Sequence, residues 1–262
     1  MKSTSQNDEF LKKRAERQRK IRKRRLKIFF VFLVILSICV AAVLSLTVFF
    51  KIENLNAGGS KIYTSKEIIK ASGIKTGDNM FVISKQNTEL KIRKKLPYVS
   101  KITVVRKIPD SFEIKVTDSK EYAAYSVGSE YYIVSEDGWV LKKQSEKPDG
   151  IYIVLGADVN CKTGSEVVYK KEKQKQMLDE IRSIITEKKL NVNSIDISDI
   201  INVKIEIDGR FTVYLGTVNN LEEKISHVAV MAKNIAPEQH GIINVSMWVQ
   251  DKPQGTFTPT DD

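Results

Sequence analysis

The chain has 262 residues, 29% of them charged, and a formal net charge of +11. Twelve of its Lys and Arg stand in the first 27 residues against Asp8, Glu9 and Glu16, so this tail carries +9 and everything from Ile28 onward only +2. The cationic excess is therefore local, which argues against a basic nucleic-acid-binding domain, and two cysteines are too few for a disulfide-stapled scaffold.

The tail, residues 1–27, holds the runs Lys12-Lys13-Arg14 and Arg22-Lys23-Arg24-Arg25, with Lys27 closing it and no aromatic interleaved. Such a patch suits anionic lipid headgroups, at about 1 kcal/mol per basic residue near the surface, better than a nucleic acid. Ile28–Phe50 follows, twenty-three residues without a charge, bracketed by Lys27 and Lys51. As a helix it would reach roughly 34 Å, against a hydrocarbon core of about 30 Å. The expectation is an uncleaved transmembrane helix over 28–50, longer than the apolar region of a signal peptide. The positive flank sets the N-terminus in the cytoplasm and the remainder outside. Cys39 then lies in the span and Cys161 outside, so the two are not expected to pair.

From Lys51 the pattern predicts a compact module to Asp118. A short strand carries Phe50, Ile52 and Leu55, and Ala57-Gly58-Gly59-Ser60 reads as a turn. Thr64-Ser65-Lys66-Glu67 matches a capping box, Ile68, Ile69 and Ala71 continue the helix, and Gly73 ends it. After Gly77-Asp78-Asn79, the residues Met80, Phe81, Val82 and Ile83 read as apolar anchors. A second helix from Asn87 to Leu96 carries Leu90 and Leu96 and stops at Pro97. Strands over Val99–Ile108 and Phe112–Thr117 complete a βααββ order. In the second of them Phe112, Ile114 and Val116 alternate with Glu113, Lys115 and Thr117.

These residues resemble a known family. The βααββ order behind one N-in span resembles a POTRA domain, the polypeptide-transport-associated module, and more closely that of the bacterial FtsQ/DivIB cell-division proteins. The matching stretches are Tyr63–Ile68, Gly77–Phe81, Leu96–Val99 and Arg106–Phe112, in that order and spacing. The resemblance covers roughly Lys27 to Met247.

The second module, 119–248, reads as strands with polar turns around two amphipathic helices. Tyr122–Val127, Tyr131–Val134, Trp139–Leu141 and Ile151–Leu155 are strands, with Glu136-Asp137-Gly138 and Asp149-Gly150 as turns. Met177, Leu178, Ile181, Ile184 and Ile185 switch to the helical period. A short strand at Ile195 and Ile197 precedes a hairpin, in which Val203–Ile207 and Phe211–Leu215 flank Asp208-Gly209. A helix opening near Asn219 with Glu222 carries Leu221, Ile225, Val228, Ala229, Ala232 and Ile235. Ile242–Met247 is the last strand expected, and residues 249–262 are expected to lack order. The fold class is thus α+β: basic cytoplasmic tail, one transmembrane helix, POTRA-like domain, β-rich domain and C-terminal tail.

No catalytic constellation stands out. His227 and His240 lack partners at metal-ligand spacing, Gly58-Gly59-Ser60-Lys61 lacks phosphate-loop spacing, and neither G-x-S-x-G nor S-x-x-K occurs. No cofactor is expected. Binding by surfaces remains, and a sheet edge accepts a partner's strand. Ile243, Val245, Met247 and Trp248 on the terminal strand are the candidate contacts, and inward packing of the same residues is the competing account. The resemblance implies a divisome scaffold at the septum. It would bind FtsL-like and FtsB/DivIC-like partners through terminal strands and, through them, help control a septal peptidoglycan synthase. Rival classes are a POTRA-bearing transport or sporulation scaffold and a membrane-tethered cell-wall enzyme.

Overall fold

The structure, a computed structural model, describes residues 24–41, 44, 49–248 and 254–260. Its architecture is α+β, with one correction to the expected fold. Among the described residues no helix is long and apolar enough to cross a membrane. The continuous helix over 24–41 begins with Arg24, Arg25 and Lys27 and leaves fourteen uncharged residues, 28–41. These rise about 21 Å at about 1.5 Å each, short of the roughly 30 Å of a hydrocarbon core. The rest of the expected span includes 42–43 and 45–48, outside the described residues, as are Arg22 and Lys23.

Backbone contacts divide the chain into two units. One runs through the N-terminal stretch to Leu55 and takes in Ile74–Ser84 and Val105–Glu113, and the other holds Asn56–Gly73, Lys85–Val104 and everything from Ile114. The first elements are β1 (Asn54–Gly58), α1 (Ser65–Ser72), α2 (Lys85–Lys95), β2 (Val99–Lys107) and β3 (Ser111–Asp118), with β3 central in the sheet order β1-β3-β2. The βααββ order is that read from the sequence. Phe112, Ile114 and Val116 are all buried, as their alternation requires.

The capping box at α1 forms in both directions. The Glu67 carboxylate accepts the Thr64 N–H at 2.8 Å, and the Thr64 hydroxyl accepts the Glu67 N–H at 3.4 Å. Gly73, at φ 73°, closes the helix. Two local readings move. Ala57 and Gly58 belong to β1 rather than a turn, and the turn falls at Gly59. At φ 101°, a Cβ on Gly59 would stand 2.2 Å from the Val116 carbonyl oxygen, so only glycine fits. In α2 the buried residues are Thr88 and Ile92, whereas Leu90 is exposed. The inward side chains of this Lys-rich helix are thus Thr88 and Ile92, at i and i+4, rather than the expected Leu90.

The second module is built on a nine-stranded mixed sheet in the order β14-β13-β12-β11-β10-β7-β4-β5-β6. Its strands include β4 (Ala123–Val127), β5 (Glu130–Val134), β6 (Val140–Gln144), β7 (Tyr152–Leu155), β10 (Val192–Asp196), β11 (Val203–Ile207), β12 (Phe211–Gly216), β13 (Gly241–Asn244) and β14 (Thr256–Pro259), while β8 (Val159–Asn160) pairs β9 (Val168–Tyr169) separately. Two helices, α3 (Glu172–Lys188) and α4 (Leu221–Asn234), carry the apolar stripes read from the sequence. They share one core with the inward faces of the strands, among them Val203, Ile205, Ile207, Phe211, Val213 and Leu215. Among the described residues, Ala124, Ile133 and Ile153 form a separate small buried cluster.

The expected cap of α4 is replaced. Asn220, not Asn219, is the N-cap, it is left-handed at φ 58°, and its side chain caps nothing. Lys224 secures this end instead: its ammonium, almost fully buried, donates to the Leu215 and Thr217 carbonyls, each at 2.8 Å. Burial holds the Lys224 pKa below its ordinary value.

Candidate partner-binding edge

A sheet offers a partner its unpaired edges, so the ends of the nine-stranded order are the first places to look. The β6 end is guarded. Its first half is covered by the loop behind it, where Val140 N–H donates to the Ser165 carbonyl and Gly164 N–H to the Val140 carbonyl, both at 2.9 Å. Its second half carries Lys142 and Lys143, ion-paired to Glu121 at 2.8 Å and Glu130 at 3.2 Å.

The other end differs from expectation. The strand expected to be last, β13, is not at the edge, because β14 lies antiparallel outside it with Asn244 opposite Thr256 and Gly241 opposite Pro259. Residues 256–259 thus form a strand within the tail expected to lack order, while 249–253 and 261–262 lie outside the described residues. The seat of β14 is specific. Phe257 packs edge-to-face on Phe211 at 5.9 Å. A Cβ on Gly241 would fall 2.3 Å from the Thr258 carbonyl oxygen, so the close strand approach needs this glycine.

Antiparallel alternation decides which backbone groups of β14 are open. Thr260 N–H donates to the His240 carbonyl at 3.0 Å, and Gly241 N–H and Val245 N–H turn the other way, to Arg210 and Tyr214 of the β12 side. Thr256 and Thr258 therefore pair inward with β13, and Phe257 directs its N–H and C=O to the open side. Pro259 has no N–H to offer, so the open side is short and admits few registers.

The residues named from sequence are split by this geometry. Ile243 and Val245 are completely buried in the core. Trp248 is partly buried, its ring 5.5 Å from His227 of α4, and its buried indole nitrogen has no hydrogen-bond partner among the described residues. Met247 is 82% exposed. The edge residues that the sequence reading missed are those of β14. Their one local signal is Thr256-Phe257-Thr258, β-forming residues in alternation between Gly255 and Pro259. Arg24, Arg25 and Lys27 are exposed on the N-terminal helix.

A cleft of about 630 Å³ is lined by Ser100, Lys101, Asp118, Glu121, Tyr122 and Glu136, among others. Beside it the end of α2 docks on the β5–β6 turn. Arg93 pairs with Asp137 at 2.6 Å and stacks over Trp139 at 4.2 Å, and the Tyr98 hydroxyl donates to Glu121 at 2.6 Å. Among the described residues no three His, Cys, Asp or Glu side chains converge as a metal site. Burial pushes the Cys161 thiol up to about 11, which keeps it a neutral, weak nucleophile.

Residues 50–118 match the family model described as POTRA domain, FtsQ-type. Over 235 residues the chain is 28% identical to the cell division protein DivIB of Clostridium botulinum (strain Hall), covering 87% of this chain and 90% of that protein. It is 26% identical to the DivIB of Clostridium acetobutylicum, covering 80% and 85%. Identity to the DivIB of Bacillus subtilis (strain 168) is 30%, covering 57% and 56%.

Proposed function

We propose that this chain, an FtsQ/DivIB-type cell-division protein by its similarities, serves the bacterial divisome as a non-enzymatic scaffold at the septum. It binds FtsL-like and FtsB/DivIC-like partners and through them helps control septal peptidoglycan synthesis. The observation that supports this reading best is the open edge of β14 at the end of the nine-stranded sheet. A partner segment adding there in the extended conformation takes its affinity from the main chain at Phe257. Its specificity comes from the side chains of that edge strand.

The test is titration of the full chain with the ectodomain of a DivIC-like partner. Phe257→Pro removes the outward N–H, and removal of residues 254–262 deletes the strand. Each is expected to weaken binding at least about tenfold, equivalent to about 1.4 kcal/mol. Circular dichroism checks that the α3–α4 core persists. Unchanged affinity in both variants would overturn the edge assignment.

A further inference from the structure

β14 has four residues and one large apolar side chain, Phe257, so its backbone pairing with β13 is a weak hold by itself. A second hold comes from α4. His227 and Met231, four positions apart and both half-buried, flank the buried stripe of Ile225, Val228 and Ala232 on that helix. Gly255, the residue before β14, lies directly on them. A Cβ there would stand 2.7 Å from the Met231 sulfur and 3.0 Å from His227 Cδ2 and Nε2, so this close approach of the backbone needs a glycine. The same imidazole packs on the Trp248 ring at 5.5 Å, and Met231 and Trp248 both pack against the main core. Residues 248 and 255 stand on the two sides of the connection from β13 to β14, and both rest on His227.

This seat separates two possible edges. β13 turns the Gly241 and Val245 N–H groups towards the β12 side. By alternation Ile242 and Asn244 direct their backbone groups the other way, where they meet Thr258 and Thr256. With β14 seated, the sheet ends at the outward N–H and C=O of Phe257, with Pro259 two residues on. With β14 displaced, it would end at the backbone groups of Ile242 and Asn244. A partner strand would then find other hydrogen-bonding groups, another register and other flanking side chains.

We propose that His227 and Met231 are positioning residues that seat β14 through Gly255 and so select the Phe257 edge for the partner. This role presupposes the partner-binding edge proposed above, but the seat itself is measurable without a partner.

Hydrogen exchange of the full chain measures the seat. Met231→Gln puts an amide where the thioether meets Gly255, and His227→Ala removes the ring beneath it. Each should lower protection of the Thr256 and Thr258 amides at least about tenfold, while Ile205 and Val213 keep theirs. Met231→Leu, apolar and of similar volume, should retain protection. Gly255→Ala should also cost protection, and adding Met231→Ala should restore part of it, because the shorter side chain frees the space that the new methyl needs. Unchanged protection at 256 and 258 in Met231→Gln and Gly255→Ala would overturn the seat. So would a loss that falls equally on Ile205 and Val213, or purely additive losses in the Gly255→Ala, Met231→Ala pair. Titration with the ectodomain of a DivIC-like partner then tests the selecting role. Affinity should fall in step with protection and return in Met231→Leu. Lost protection with unchanged affinity would uphold the seat but overturn the partner edge, and with it the selecting role.

Discussion

Arg93 shows how much one side chain can hold. It lies on a helix whose other cations face water, yet its guanidinium stacks on Trp139 and pairs with Asp137, itself bound by the Ser135 hydroxyl. A stacked and hydrogen-bonded arginine is not replaceable by a flexible point charge. Arg93→Ala should lower unfolding stability by about 1–2 kcal/mol, and Arg93→Lys should recover little of it. Urea unfolding of the three proteins checks this; equal midpoints would show that the pair is solvated and worth nothing. Nothing in the local sequence separates Arg93 from Lys91 or Lys94, because its partners are more than forty positions away. Lys224 is similar: its place on an amphipathic helix predicts a solvated charge, and its acceptors come from Leu215 near the end of β12 and Thr217 just after it.

At the scale of elements, β14 is the instructive case. Four residues with one large apolar side chain carry too weak a period to be read as a strand, and the neighbouring prolines and acids point to disorder. What orders the segment is the edge it meets: β13 offers unpaired backbone groups, Gly241 allows close approach, and Phe211 offers a ring to Phe257. Gly241→Val should therefore dislodge β14 while sparing β10 to β12. Hydrogen exchange is the measurement: the amides of Thr256 and Thr258 should lose protection while those of Ile205 and Val213 keep theirs. Retained protection at 256 and 258 would show that the strand tolerates the bulk. The longer elements needed no such help. The capping box of α1, the five apolar positions of α3 and the hairpin of β11 and β12 were all legible, because each is specified by residues within one turn or one strand of each other.

For the molecule as a whole, stability should fall in acid in a definite sense. Burial alone would raise the Glu121 carboxyl, but Lys142 and the Tyr98 hydroxyl outweigh it and hold the group below its ordinary value. Asp137 is likewise held low against its burial, by Ser135 and Arg93. A carboxylate whose folded pKa lies below its unfolded one binds fewer protons folded than unfolded across that interval. The stability it contributes is complete above the unfolded value and is lost as pH falls through the folded one. Denaturation midpoints should therefore be flat near neutrality and decline below the ordinary carboxylate range. Glu121→Gln and Asp137→Asn together should flatten that decline, and an unchanged slope would place the acid sensitivity elsewhere.

The βααββ module, the two amphipathic helices, the β11–β12 hairpin and the resemblance to FtsQ/DivIB were determined by sequence, since periodicity, caps and turn residues act over a few positions. The tertiary structure decided what depends on distant pairing. It made β14 and not β13 the edge, turned Ile243 and Val245 into core, and left Phe81 and Val82 outside. A strand becomes an edge only by what does or does not pair beside it. A side chain becomes buried only by what covers it, and both are properties of neighbours that the local chain does not encode.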